Sequence, residues 1–315
     1  METALVSVAM PFCSAQSTIG PSIRSILAQA YPNWELLLCD DGSTDGSADV
    51  ARSFNDERLV VWSDGERKTL APRLNECIDR ARGKYLARMD ADDVAYPDRF
   101  EKQLRFLESH SEVDLVGGGA VVFGRNGALI GKRIGPQTHQ EIVRRLRFGS
   151  SPLVHPTFFG RTSWFRRFGY AGSAFRCEDH DLLFRAAPTS VYANLPDILL
   201  GYREENLDLT RIDASRTRWL RRRLEAARTV PDFVEVGLLG CTIVAKMSLD
   251  RVAVWSGLNH RLLRHRARPV QPREKEEWEE VWRQVNNSAR LIAAQKATSN
   301  DGLPPSQHGS EDCVR

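Results

Sequence analysis

Residues 84–93, KYLARMDADD, join a short apolar run to three carboxylates, Asp90, Asp92 and Asp93. The run at 84–89 predicts a buried strand. Three like charges at one point repel each other unless a cation or several donors lie between them. Ligands of open α/β sheets bind beyond the carboxyl ends of parallel strands. This stretch therefore predicts a ligand site where a buried strand ends, as expected in an α/β fold.

The segments before this stretch alternate between strand-like and helix-like patterns. Apolar strands that alternate with helices predict a mostly parallel sheet covered on both faces. Strands are predicted at 5–10, 33–41, 58–62 and 84–89, and helices at 22–31, 48–54 and 70–82.

The second half is less regular, and three regions are predicted in it. A catalytic domain spans residues 1–205, including strands at 113–127 and 197–204. A basic amphipathic helical extension covers 206–296. Residues 297–315 have a composition that is typical of a disordered tail.

Composition narrows the functional class. The net charge of +3 is too small to indicate a nucleic-acid partner. The six cysteines are scattered without a CxxC pair, which favours a reducing compartment. The N-terminus shows no basic leader before a long apolar segment, and no stretch approaches the roughly 18 apolar residues of a spanning helix. We expect a cytoplasmic protein.

A second acidic segment, CDDGSTDGS at residues 39–47, also follows a predicted strand. Its polar residues suit a helix N-cap. Asp40 and Asp41 exceed what capping requires, and a carboxylate at this position accepts hydrogen bonds from a ribose or a base. The chain has no Gly-rich phosphate motif, so we expect acids and a metal to hold a nucleotide.

Two interpretations remain open for each of the other acidic segments. The 90–93 segment is either a solvated turn that caps the next helix or a site for Mg²⁺ or Mn²⁺, which prefer oxygen ligands. In CEDHDLLF at 177–184, acids in a first helical turn favour the helix dipole. Alternatively, one of them is a general base that removes a proton from an acceptor hydroxyl.

The order VSVAMPF, DDGSTDGS, DADD and EDHDLLFR resembles glycosyltransferase family 2, which has the GT-A fold. The resemblance covers about residues 5–204 and includes RLNECIDRARGKYLARMDADD and SPLVHPTFFGR. It implies transfer of a sugar from a nucleoside-diphosphate donor, with a UDP-sugar favoured, and inversion at the anomeric carbon. It also implies Mn²⁺ or Mg²⁺ and a saccharide or lipid-linked acceptor in cell-surface polysaccharide synthesis.

The resemblance assigns roles residue by residue. Asp90 and Asp92 match the family's DxD motif, with Asp92 as a metal ligand and Asp93 as a second one. Asp179, in the ED pair, matches the catalytic base. The remaining expected donor-binding residues are Pro11 and Phe12 in the nucleotide pocket, Asp40 and Asp41 at the base or ribose, His155 near the diphosphate, and Arg88 as a balancing charge.

The sequence also departs from the family. YREEN at 202–206 replaces a YRxH pattern, so its two glutamates weaken any role in phosphate binding. The chain lacks a QxxRW motif. The alternatives to a glycosyltransferase are a nucleotidyltransferase and a non-catalytic sugar-nucleotide-binding protein of the same fold.

The basic segment 216–273 has two interpretations of its own. In one, its helices pack onto the catalytic domain. In the other, it makes peripheral contact with a membrane.

Overall fold

The computed structural model describes residues 3–149, 152–205, 208–256 and 267–300, with side chains up to residue 287. The strands are β1 Val6–Phe12, β2 Trp34–Asp40, β3 Leu59–Ser63, β4 Tyr85–Arg88, β5 Val94–Ala95, β6 Leu115–Phe123, β7 Leu129–Arg133, β8 Phe159–Arg161 and β9 Tyr192–Arg203. The helices are α1 Ile19–Leu27, α2 Ser47–Arg52, α3 Leu70–Arg80, α4 Arg99–Ser109, α5 His139–Arg147, α6 Thr162–Phe168, α7 Glu178–Ala186, α8 Leu209–Ala226, α9 Val230–Trp255 and α10 Pro272–Asn300.

The strands form one mixed sheet in the order β3-β2-β1-β4-β8-β6-β9-β5, with β7 paired to β6. The expected parallel arrangement is present in the half made of β3, β2, β1 and β4. In the other half β8 is antiparallel to both of its neighbours, and β6 and β7 form an antiparallel hairpin. Asn126 and Gly127 take positive φ angles of 57° and 79° in that hairpin turn, which reverses the chain within a few residues.

The topology brings the acidic segments to one edge of the sheet. β1 lies between β2 and β4 and is parallel to both. Phe12 is opposite Asp40, and Ala9 is opposite Arg88, so the segments that follow β2 and β4 leave the sheet at its carboxyl edge. This edge is where ligands bind in sheets of this kind.

Helices cover both faces of the sheet. Apolar side chains of α1 and α4 pack on one face, and those of α3, α6 and α7 pack on the other. The second core also contains Trp219 of α8 together with Leu239 and Ile243 of α9. The first two helices of the predicted extension therefore share a core with the predicted catalytic domain.

The last helix closes the far end of the sheet. Trp278 of α10 is buried against Tyr96 and Phe123, with ring centroids 6.3 and 4.6 Å away. Gly201 of β9 makes this contact possible, because a Cβ at that position would overlap the Trp278 ring. α10 runs to Asn300, and residues 301–315 of the predicted tail lie outside the described residues. Among the described helices, none combines the length and apolar character that crossing a bilayer requires.

Candidate active site

Three carboxylates crowd together in the loop that follows β4. Asp90, Asp92 and Asp93 each present an oxygen, and these oxygens lie within 4.8 Å of one another. Arg88, the last residue of β4, forms a two-point ion pair with Asp90, at 2.5 and 2.8 Å. The buried Arg88 thus compensates the charge of Asp90, whereas no cationic side chain among the described residues lies at hydrogen-bond distance from the carboxylates of Asp92 and Asp93.

Asp93 is the most deeply buried of the three carboxylates, and one of its oxygens has no hydrogen-bond partner among the described residues. Its side chain is fully buried; Oδ1 accepts a hydrogen bond from the Arg203 amide at 2.9 Å, and Oδ2 finds no partner among the described residues. Burial, followed by repulsion from Asp92 and Asp90, raises the pKa of Asp93 well above its usual range. Burial and Asp90 likewise raise the pKa of Asp92 to about 6.

The residues in this loop fit a hard divalent cation. All three donors are carboxylate oxygens, which Mg²⁺ and Mn²⁺ prefer. A cation between them would relieve the repulsion that raises the pKa values of Asp92 and Asp93. Asp93 Oδ2 would then be one of its ligands. Arg88 Nε is also buried without a partner among the described residues. A buried carboxyl oxygen of Asp93 and a buried guanidinium N–H of Arg88, neither with a partner among the described residues, thus lie at and just after the end of β4.

Arg203, at the end of β9, fixes this loop from the other side. Its amide binds Asp93, and its Nε donates to the Asp92 carbonyl at 2.9 Å. The two glutamates that follow it are both paired with arginines: Glu204 with Arg133 at 2.7 Å, and Glu205 with Arg125 at 3.2 Å and with Arg203 itself at 3.3 Å. Arg203 therefore positions the acidic loop, a role that the departure of this segment from the family pattern did not predict.

The acids after β2 lie at the neighbouring strand end. Pro11 and Phe12 end β1 and are buried beside them. Asp40 accepts hydrogen bonds from the Ser43 amide at 3.0 Å and from the Ser63 hydroxyl at 2.8 Å. Asp40 therefore ties together the turn after β2 and the end of β3.

Asp41 anchors the loop that precedes α3. Its carboxylate accepts from the Lys68 amide at 2.6 Å, the Thr69 amide at 3.1 Å and Arg73 Nε at 3.0 Å. Thr69 has a φ of 75°, which a β-branched residue adopts only when its surroundings impose it. The hydrogen bond from its amide to Asp41 supplies part of that constraint.

Arg73 is a central residue that sequence reasoning did not identify. It is fully buried and pairs with Asp41, with Asp64 at 2.6 Å and with Glu76 at 2.9 Å. The available signal was its place beside Leu74 on the apolar side of a predicted helix, because an arginine buried there needs several anionic partners.

Asp179 lies in the first turn of α7, with a side chain that is 19% exposed. His180 Nδ1 is 3.1 Å from its Oδ1. Burial alone would oppose ionisation, but the neighbouring His180 holds the pKa of Asp179 well below its usual range. Asp179 is therefore ionised at neutral pH, which is the form that can accept a proton.

His155 and Tyr170 connect the two halves of the site. His155 Nε2 is 2.9 Å from the Tyr170 hydroxyl, and burial lowers the pKa of His155 well below its usual range, so the ring is neutral. Burial also raises the pKa of Tyr170. Two nearby charges act on the same pKa, since Arg88 lowers it and Asp179 raises it. The segments after β4 and at α7, distant in sequence, thus face a common region.

Helix α8 supports the helix that carries Asp179. Asp181 of α7 is buried and pairs with Arg185 at 2.6 Å and with Arg222 of α8 at 2.7 Å. The Trp219 ring lies 5.4 Å from the His180 ring. The packing interpretation of the basic segment is therefore correct for α8.

Comparison with known proteins identifies the class. The model of the family "Glycosyl transferase family 2" matches residues 7–170. A Bacillus subtilis (strain 168) protein named "Putative glycosyltransferase EpsE" is 38% identical over 64% of this chain and 73% of its own length. The Escherichia coli protein named UDP-Glc:alpha-D-GlcNAc-diphosphoundecaprenol beta-1,3-glucosyltransferase WfgD is 31% identical over 49% of this chain and 61% of its own length.

Solved structures agree on the fold. Residues 1–349 of S. aureus TarS in complex with UDP-GlcNAc match 90% of this chain and 81% of that one, with a TM-score of 0.55 and 17% identity. The mannosyltransferase PcManGT from Pyrobaculum calidifontis, in complex with GDP-Man and Mn²⁺, matches 91% of this chain and 86% of that one, with a TM-score of 0.56 and 16% identity. The chain belongs to glycosyltransferase family 2 and has the GT-A fold.

Proposed function

We propose that this enzyme is a metal-dependent, inverting glycosyltransferase that uses a UDP-sugar. The observation that carries the proposal is the loop after β4, where three carboxylates lie within 4.8 Å and Asp93 Oδ2 is buried without a partner among the described residues. Such a loop is suited to a divalent cation and, through it, to a diphosphate.

The relatives support the choice of donor and acceptor. TarS structures contain UDP and UDP-GlcNAc, whereas PcManGT contains GDP-Man. WfgD is named for a UDP-Glc donor and a diphosphoundecaprenol-linked acceptor. We therefore favour UDP and a saccharide or lipid-linked acceptor in cell-surface polysaccharide synthesis. Pro11, Phe12, Asp40 and Asp41 then line the nucleotide pocket.

Each acidic segment then has a separate role. Asp92 and Asp93 hold Mn²⁺ or Mg²⁺, and Arg88 pairs with Asp90 beside them. When bound, the cation supplies positive charge for the diphosphate leaving group. Asp179 takes the proton of the acceptor hydroxyl as that oxygen attacks the anomeric carbon. A single displacement of this kind inverts the anomeric configuration.

Asp179→Asn tests the role of the base. Asparagine keeps the shape of the side chain but cannot accept the proton, so we expect kcat to fall by about 10²–10⁴-fold. The Kd for UDP should not change. Steady-state transfer and calorimetric binding of UDP measure the two quantities, with Asp197→Asn, at an exposed ion pair with Lys102, as the control. Wild-type transfer by Asp179→Asn would remove this residue from the mechanism.

A further inference from the structure

Helix α9 is apolar on two opposite faces. Its inner face packs into the core through Val236, Leu239 and Ile243. A helix that is apolar all round is normally covered all round. Nine of the twelve large apolar side chains that are exposed in the described part of the chain nevertheless belong to α9: Val230, Phe233, Val234, Leu238, Val244, Leu249, Val252, Val254 and Trp255.

Most of these side chains form one continuous stripe, which we call the outer face of α9. Apolar residues recur at a spacing of eleven: Val230, Cys241 and Val252, and likewise Phe233, Val244 and Trp255. This spacing corresponds to about 3.67 residues per turn, close to the 3.6 of a straight helix. The stripe therefore runs nearly straight along the 26-residue helix, as contact with a flat surface requires.

The charges around the outer face are predominantly basic. Residues 208–256 contain nine Lys and Arg against six Asp and Glu. The acids are engaged within the protein; Glu235, for example, pairs with Arg223 at 3.0 Å. By contrast, Arg211 and Arg221 are exposed, and neither side chain has an ion pair or a hydrogen bond among the described residues. Positive charge thus remains uncompensated on α8, the neighbour of α9.

We propose that the outer face of α9 lies in the plane of an anionic lipid bilayer, with its apolar stripe among the acyl chains. Arg211 and Arg221 then face the lipid phosphates. Trp255, 90% exposed at the end of the helix, has the amphipathic ring that is enriched at membrane interfaces. A second copy of the chain fits this surface less well, because it would bring the same free arginines together.

The inner contacts keep α9 on the protein while its outer face meets lipid. Asp250 pairs with Arg216 of α8 at 2.8 Å, and Glu235 pairs with Arg147 of α5 at 3.3 Å. α8 in turn packs on α7, which carries Asp179. The bilayer contact therefore holds the site at a fixed height above the membrane. This consequence rests on the proposed function, because the height of the site above the membrane matters for an acceptor that is carried on a lipid.

Vesicle flotation of the full chain tests the proposal. The probes are phosphatidylcholine vesicles with and without phosphatidylglycerol, each at low and high salt. We expect the wild type to float with phosphatidylglycerol vesicles and less so at high salt, where the arginine–lipid attraction is screened. Val244→Glu with Val252→Glu, at side chains that are 63% and 61% exposed, should lower the bound fraction by about tenfold.

The control is Arg105→Glu on α4, which changes the net charge by the same amount at a residue that is 72% exposed. It should float like the wild type. Val244→Ser with Val252→Ser, which leaves the charge unchanged, should also lose binding, and melting temperatures check that each variant is folded. Asp179→Asn should float normally, so a failure of the transfer mechanism would not be mistaken for a failure of lipid binding.

Two results would overturn the proposal. In one, the wild type stays unbound, or the glutamate variant floats as well as the wild type does. In the other, light scattering shows a wild-type dimer that the glutamate substitutions dissociate, without flotation of either protein. That result would assign the outer face of α9 to a second copy of the chain.

Discussion

Asp179 is kept ionised by the side chain next to it. His180 lies 3.1 Å away and outweighs the effect of burial, so that the pKa of Asp179 lies well below its usual range. The general base must be deprotonated to act. Activity should therefore persist to lower pH than an ordinary aspartate would permit.

His180→Gln tests this relation. Without the imidazole, the pKa of Asp179 should rise, because burial then opposes ionisation with less compensation. Since the base is lost as pH falls through its pKa, the acid limb of kcat/KM should move to higher pH in the variant. A pH profile of transfer measures the shift. Superimposable acid limbs would contradict the role of His180.

The residues that sequence analysis identified are those whose placement follows from local pattern. Asp40, Asp90 and Asp92 stand directly after apolar runs, so their position at strand ends was predictable. Arg203 was not identified, because its partner lies far away in sequence. Arg203 contacts Asp93 across more than a hundred residues, and only the folded topology creates that contact.

At the level of elements, α8 is the support for α7. Trp219 is 3% exposed and packs against the rings of His180 and Phe184. Trp219→Ala should lower the free energy of unfolding by about 3 kcal/mol through the cavity it leaves. It should also lower kcat, because Trp219 packs against α7, and loss of this contact would shift the helix that carries Asp179.

Trp219→Phe is the matched control for that change. The indole Nε1 has no hydrogen-bond partner among the described residues, so phenylalanine keeps the ring contact and removes no bond. Chemical denaturation and transfer assays on both variants measure the effect. An alanine variant with wild-type stability would show that α8 is not a support.

The first-half elements were predictable because each long apolar run forms one strand. β5 and β8 contain two and three residues, too few to show a period in sequence. β8 is placed by antiparallel pairing with β4 and β6. The mixed character of the sheet therefore depends on long-range pairing, which local propensity does not encode.

At the scale of the whole molecule, residues on both sides of the predicted boundary at residue 205 contribute to the same hydrophobic cores. Trp278 of α10 packs on Phe123, and Trp219 and Leu239 join the core around α7. A chain that ends at Glu205 would expose these surfaces, so we expect it to aggregate or to unfold at a much lower temperature. Expression and thermal denaturation measure this. A monomeric 1–205 chain with wild-type stability would establish an independent domain.

We propose above all that the loop after β4 holds a divalent cation and a nucleoside diphosphate together. The most direct test is the melting temperature with UDP, GDP or dTDP, each with Mn²⁺ or with EDTA. A ligand at about 100 times its Kd stabilises the folded state by about 2.7 kcal/mol. We predict that UDP raises the melting temperature of the wild type only when Mn²⁺ is present, and that Asp92→Ala loses this shift. An equal UDP shift in EDTA, or no shift with any nucleotide, would contradict the claim.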